Sequence, residues 1–172
     1  MKEQILKDIK ENLKMFDSLQ SKYKLNSQDA FFLLAGTVAQ ESNFKYIKQL
    51  GDGPARSYFQ IEPATAIDTI RNYIAYRTDF IKLFLETTNR RFSITMTDKE
   101  VSDELLNNFK FATLIARLCY YRKTFNFVDH DVEEYAKIWK KYYNTPLGKG
   151  TEQEFVKNYK FYGIDKIDYK ML

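Results

Sequence analysis

The chain has 172 residues, a length that a single hydrophobic core can fill, and we expect one domain over residues 1–172. Its 27 Lys and Arg residues are scattered among 23 Asp and Glu residues, a pattern typical of a mixed solvated surface rather than a nucleic-acid-binding face. The single cysteine excludes an intramolecular disulfide, and no window reaches the ~18 apolar residues that a membrane span requires.

Apolar residues at helical spacing predict two helices in the first quarter of the chain. The first covers residues 3–24. Asn26 or Ser27 caps the second, which is almost wholly apolar from Ala30 to Ala39 and is therefore expected to be buried on most sides. Glu41 follows this buried helix directly.

Gly51, Gly53 and Pro54 mark the stretch from Asn43 to Ile61 as a long loop with room for a short hairpin. Loops of this length inside a compact domain are usually functional. Pro63 suits the first turn of the next helix, which the apolar spacing extends to about Phe84. Residues 90–96 then form a connection.

Two capping boxes predict helix starts in the second half of the chain. Thr97 with Glu100 predicts a helix near residues 98–108, and Thr151 with Glu154 predicts one that runs to about Phe161.

Between these boxes the pattern predicts two more helices, at residues 109–124 and 129–142, followed by a Gly/Pro loop at 143–150. Cys119 lies in the first of them, as a small buried hydrophobe. No strand pattern is evident, so the predicted fold class is mainly α.

Carboxylates are the best candidates for chemistry in this chain. With one histidine, His130, and one cysteine far from it, a Cys/His zinc site or a Ser-His-Asp triad has little support. Glycoside cleavage can proceed on carboxylates without a metal or other cofactor. A carboxyl group such as Glu41, at the end of a buried helix, is placed to have a raised pKa, although a solvated helix-end glutamate is the simpler alternative.

Three segments carry a family resemblance. They are Glu41 and Ser42, the stretch from Ala55 to Ala66, and Tyr143 with Asn144. In order and rough spacing they resemble the signatures of the soluble lytic transglycosylase and goose-type lysozyme superfamily. These signatures are a Glu-Ser at a helix end, a segment containing Gly-Leu-Met-Gln followed by Pro-x-Thr-Ala, and a late Tyr-Asn. The resemblance covers residues ~30–160, looks most like phage-encoded members, and implies a lysozyme-like fold with a loop or small hairpin beside the cleft.

The resemblance implies specific roles for these residues. Glu41 would be the general acid and then the base at the β-1,4 linkage between N-acetylmuramic acid and N-acetylglucosamine, and Tyr143 would hydrogen-bond or orient its carboxyl group. The expected substrate-binding residues are Ser42, Ser57, Tyr58, Gln60 and Asn144. No metal or cofactor is implied. One departure is Ser57, which stands where the family has a glycine.

The presence or absence of a second catalytic carboxylate distinguishes the two mechanisms of this superfamily. Lytic transglycosylases of this superfamily lack one, whereas a hydrolase needs a base to activate water. Asp52 is the first candidate for that base and Glu62 the second. The alternative role of Asp52 is that of a turn residue in an Asp-Gly pair. The alternative role of Glu62 is that of a favourable charge at a helix N-terminus.

The expected function is therefore a peptidoglycan-cleaving muramidase, either lytic transglycosylase or lysozyme, acting as a phage endolysin or virion-associated enzyme. Its partners would be peptidoglycan glycan strands and other virion proteins, with no nucleic acid expected. The first residues lack the apolar stretch of a signal peptide, which predicts synthesis in the host cytoplasm and action in the periplasm or cell wall. The alternatives are a non-catalytic lysozyme-like module of a virion or secretion apparatus and, more weakly, a nucleic-acid-binding helical domain.

Overall fold

A computed structural model describes residues 1–88 and 95–172, and over these ranges the chain is mainly α-helical, as predicted. Residues 89–94, most of the predicted connection, lie outside the described part. No strand occurs within the described ranges. The eight α-helices there are α1 (Lys2–Leu19), α2 (Gln28–Ser42), α3 (Pro63–Asn72), α4 (Thr78–Thr88), α5 (Asp98–Asn107), α6 (Phe109–Tyr121), α7 (Val132–Trp139) and α8 (Glu152–Phe161).

The predicted buried helix, α2, lies at the centre of the molecule. It packs against α1, α6, α7 and α8, and its residues from Ala30 to Ala39 are all buried. The Thr37 and Tyr120 hydroxyls, 2.8 Å apart, join α2 to α6 inside the core. Apolar side chains from Ile5 to Ile164 form one continuous cluster around this pair of helices. The core therefore holds the C-terminal end of α2, which carries Glu41, in a fixed position.

Gly36 allows α8 to approach α2 closely. A Cβ atom at this position would lie 2.4 Å from Cζ of Phe155, well inside van der Waals contact. The Phe155 ring is fully buried. A side chain at position 36 would therefore force the two helices apart.

Helix α1 ends five residues before the predicted boundary at residue 24. Gln20 adopts an extended backbone, and its side chain bonds the main-chain N–H and carbonyl of Tyr23. Asp17 accepts hydrogen bonds from the N–H groups of Leu25 and Asn26. These side chains satisfy the turn's backbone groups and so compete with continuation of the helix.

The single helix predicted from Pro63 to about Phe84 is wrong, because it is divided into α3 and α4. Tyr73 leaves the helical conformation, a 3-10 turn covers Ile74–Tyr76, and Arg77 is extended. Neither glycine nor proline marks this break. The Arg77 guanidinium lies 3.9 Å from the Tyr73 ring centre and donates to the Tyr73 carbonyl, so side-chain contacts stabilise the bend.

Both predicted capping boxes are confirmed, at Thr97 with Glu100 and at Thr151 with Glu154. Helix α7 begins at Val132, three residues later than predicted, because Asp131 caps it. It then passes directly into a π-helical turn over Lys140–Asn144. π-Helical turns are rare and occur frequently at functional sites.

The predicted long loop between α2 and α3 is present. In place of a hairpin with regular strands, the loop contains two isolated antiparallel bridges, Lys48 with Arg56 and Arg56 with Ile61. Five non-glycine residues of the loop have positive φ angles: Asn43, Phe44, Asp52, Ser57 and Gln60. Such strained conformations cluster where binding sites are built. Within residues 1–88 and 95–172, no helix has both the length and the apolar character to cross a membrane.

Candidate active site

Glu41 lies in the last turn of α2. The helix is closed at its start by the Ser27 hydroxyl, which accepts from the N–H of Ala30, and at its end by Asn43 in a left-handed conformation. The Glu41 side chain is only partly accessible to solvent. A rigid, buried helix therefore carries a carboxyl group to the edge of the core, as the sequence predicts.

Trp139 holds this carboxyl group. Its indole Nε1 donates to Oε1 of Glu41 at 2.8 Å. The indole is 1% exposed and packs on the Phe155 ring. Gly150 passes so close that a Cβ there would lie 2.6 Å from the indole Cη2. Because packing fixes Trp139 on two sides, one oxygen of Glu41 has a fixed position.

Burial raises the pKa of the Glu41 carboxyl from 4.5 to about 7, and the Trp139 hydrogen bond opposes this rise. Burial acts because the charged form loses its hydration, whereas the indole N–H stabilises the charged form. A carboxyl group with a pKa near neutrality can both give and take a proton at physiological pH. General acids of glycosidases require this property.

The carboxyl group faces a cleft made of two adjoining cavities. One has a volume of about 360 Å³ and the other about 380 Å³, each within the range of small-ligand sites. Both are lined by Glu41, Gln60 and Glu62, so the acid lies where they meet. The first is also lined by Ile61, Thr65, Cys119, Arg122, Tyr142, Tyr143, Asn144 and Thr145. The second is also lined by Asn43, Tyr46, Gln49, Leu50 and Ala55.

The structure thus brings Gln60, Tyr143 and Asn144 to the cavity that Glu41 lines. Gln60, in a left-handed conformation, donates from Nε2 to the carbonyls of Tyr46 and Ser57. Asn144 accepts a hydrogen bond from Lys140 within the π-helical turn. The Gln60 amide is therefore fixed by backbone carbonyls and the Asn144 amide by the Lys140 side chain.

Tyr143 does not bond Glu41 in this structure. Its hydroxyl donates to the carbonyl of Phe59 at 2.8 Å, and its ring stacks on Tyr120. Burial raises the pKa of Tyr143 well above its ordinary value, which keeps the hydroxyl a donor. The hydrogen bond expected from Tyr143 comes instead from Trp139. The hydrogen bond from Tyr143 to Phe59 therefore connects the π-helical turn to the loop before α3.

Three other predicted binding residues do not line either cavity. Ser42 is fully buried, and its hydroxyl donates to the carbonyl of Val38. Ser57 is 3% exposed with φ at 66°, and its hydroxyl accepts from the N–H of Phe59. Tyr58 packs edge-on against Phe109. These residues shape the loop from inside, and their side chains are not placed to contact a ligand in either cavity.

The two candidate second carboxylates differ in position. Asp52 is exposed, has a φ of 61°, and lines neither cavity, as expected for a turn residue. Glu62 is exposed immediately before α3, makes no side-chain capping bond there, and lines both cavities with Glu41. Glu62 is therefore the carboxylate that geometry associates with Glu41.

Sequence reasoning missed two residues of the site. Trp139 is not among the predicted site residues, although it lies one helical turn before Tyr143 and on the same side. Arg122 ends the apolar helix α6 much as Glu41 ends α2, so the signal that identified Glu41 could have identified it as well.

Comparisons of this chain with protein-family models, with curated proteins and with solved structures found no significant match. Any function of this protein must therefore be inferred from the site itself.

Proposed function

We propose that this protein is a peptidoglycan-cleaving muramidase of lysozyme-like fold, with Glu41 as the general acid and then the base. The observation that carries the proposal is a partly buried glutamate with a pKa of about 7 at the junction of two cavities. A cleft that continues on both sides of the acid suits a chain of sugars bound across the bond to be cleaved. The three motifs that resemble the lytic transglycosylase superfamily all contribute residues to this cleft.

The chemistry begins with a protonated Glu41. Its proton passes to the oxygen that links N-acetylmuramic acid to N-acetylglucosamine, and the C–O bond on the muramic acid side breaks. Trp139 holds one carboxyl oxygen and bonds more strongly to the anion that results. The carboxylate then takes a proton from the attacking hydroxyl group, which restores the acid.

The attacking group defines two versions of the enzyme. If Glu41 acts alone, the C6 hydroxyl of the sugar attacks and leaves a 1,6-anhydro end. If a second carboxylate activates water, Glu62 is better placed than Asp52, and the product has a reducing end. Mass spectrometry of the released muropeptides separates these versions because the two ends differ by one water. Loss of hydrolysis in Glu62→Gln, with Asp52→Asn unaffected, would support the second version.

The enzyme proposal is tested by clearing of purified peptidoglycan. Glu41→Gln keeps the size of the side chain and its acceptor for Trp139 but cannot transfer a proton. We expect it to lose activity by about 100-fold or more, the contribution typical of a general acid. Glu11→Gln removes an exposed carboxylate from α1 and is the matched control. Equal clearing by wild type and Glu41→Gln would contradict the proposal and favour a non-catalytic module.

In this proposal the protein acts on the cell wall as a phage endolysin or as a virion-associated enzyme that opens the wall at entry. The net charge of +4 suits a substrate that carries anionic polymers.

A further inference from the structure

The cleft contains one charged group that the proposed reaction does not use. Arg122 follows α6 and lines the first cavity together with Glu41 and Glu62. It is the only cationic residue among the described residues that line this cavity. Arg122 therefore lines a cavity whose acidic residues are Glu41 and Glu62.

Within residues 1–88 and 95–172, the Arg122 side chain forms a hydrogen-bonded ion pair with one residue, Asp68. Its Nη1 donates to Oδ2 of Asp68 at 2.6 Å, and Asp68 also accepts from Asn72 on the same helix. The Arg122 side chain is 20% exposed. Its Nε is buried and has no hydrogen-bond partner among the described residues. The ion pair uses Nη1 and Nε is closed off from solvent, so the exposed fifth of the side chain is the part that a ligand in the cavity can reach.

A planar guanidinium with free donors binds carboxylates best, because its parallel N–H groups match the two carboxylate oxygens. Elsewhere in the cavity the Glu62 carboxylate would repel a ligand carboxylate, whereas the protonated Glu41 that begins the reaction carries no charge. A ligand carboxylate would therefore be directed to Arg122, in a cavity that Thr65 and Asn144 also line.

We propose that Arg122 is a specificity-determining residue that binds a carboxylate of the substrate within the cavity that Glu41 lines. The inference rests on the proposed function. In peptidoglycan the carboxylate has two sources with the same chemistry, namely the lactyl group of muramic acid without its peptide and the free carboxylates of the stem peptide. The protein would then prefer muramic-acid-containing strands to neutral polymers of N-acetylglucosamine.

Binding is measured by calorimetry with Glu41→Gln, which binds without turnover. The three ligands are oligosaccharides of equal length: a neutral N-acetylglucosamine oligomer, an alternating oligomer with free lactyl carboxylates, and an alternating oligomer with stem peptides. We expect at least one carboxylate ligand to bind about 10-fold or more tightly than the neutral one, since hydrogen bonds to charged groups have this strength. Adding Arg122→Gln should remove that difference and leave neutral binding unchanged.

The matched control is Lys123→Gln, which removes the same charge from the adjacent exposed residue and should retain the preference. Arg122→Lys keeps the charge without the planar fork and should keep only part of the preference. It also covers the case in which Arg122→Gln fails to fold. Dependence on Arg122 for the lactyl ligand or for the stem-peptide ligand identifies the source of the carboxylate.

Two results would overturn the inference. One is equal weakening of neutral and charged ligands by Arg122→Gln, which would show that the residue only connects α6 to α3. The other is an unchanged preference. If wild type clears peptidoglycan while the preference does not depend on Arg122, this inference alone fails. If wild type neither clears peptidoglycan nor binds any of the three ligands, the proposed function fails as well.

Discussion

Substituting Glu41 by Gln should stabilise the protein at alkaline pH while leaving its stability at acidic pH unchanged. In the native state burial raises the pKa of Glu41 to about 7, from 4.5. Between these two values the native state holds a proton that the unfolded chain has released, so the free energy of unfolding falls as the pH rises. Below 4.5 both states are protonated, and above 7 both are ionised.

The magnitude follows from this difference. At about 1.4 kcal/mol for each pH unit, the rise from 4.5 to about 7 corresponds to about 3 kcal/mol. Glutamine has the shape of the protonated acid and keeps an acceptor for Trp139, but it never ionises. The variant should therefore match wild type at pH 4 and exceed it by about 3 kcal/mol at pH 8.5.

Urea denaturation followed by circular dichroism at these two pH values measures the effect. The comparison uses the difference between variant and wild type, so that other titrating groups, such as His130 with its Asp29 partner, cancel. Glu11→Gln serves as the surface control and should show no pH-dependent difference. An equal difference for Glu41→Gln at both pH values would refute the argument that burial raises the pKa of Glu41.

Three further outcomes are expected. Trp139 is the only tryptophan of the chain, so intrinsic fluorescence should titrate with a midpoint of about 7 in wild type. A curve unchanged in Glu41→Gln would contradict that assignment. Trp139→Phe removes the bond that favours the charged form and should move the pKa of Glu41 upward by about one unit, as the alkaline limb of the pH profile of clearing would show. Gly36→Ala should destabilise the protein by about 1–3 kcal/mol in urea denaturation, because its Cβ would meet the buried Phe155. Gly53→Ala, whose nearest neighbour would be the flexible end of the Gln49 side chain, should cost less, and equal costs would argue against close packing at Gly36.

Helix identity could be predicted from local sequence, and helix boundaries only in part. The two capping boxes and the Ser27 cap are local signals, since their hydrogen bonds join residues three positions apart. The break near Tyr73 has no local signal of this kind. It depends on Arg77 stacking on that ring and on core packing that only the folded chain provides.

In the candidate site, too, some features could be predicted from the sequence and others depend on how the chain folds. Hydrophobic periodicity was enough to predict that a glutamate ends a buried apolar helix, because this periodicity shows which residues enter the core. The resemblance in motifs also predicted that Gln60, Tyr143 and Asn144 lie at the cleft, but it predicted the same for Ser42, Ser57 and Tyr58, which line neither cavity. Three features could be seen only in the folded chain: Trp139 and not Tyr143 bonds the carboxyl group, Glu62 rather than Asp52 shares its cavities, and Arg122 lines one of them. These contacts join residues far apart in the chain, and their geometry depends on how the helices pack, which no local pattern contains.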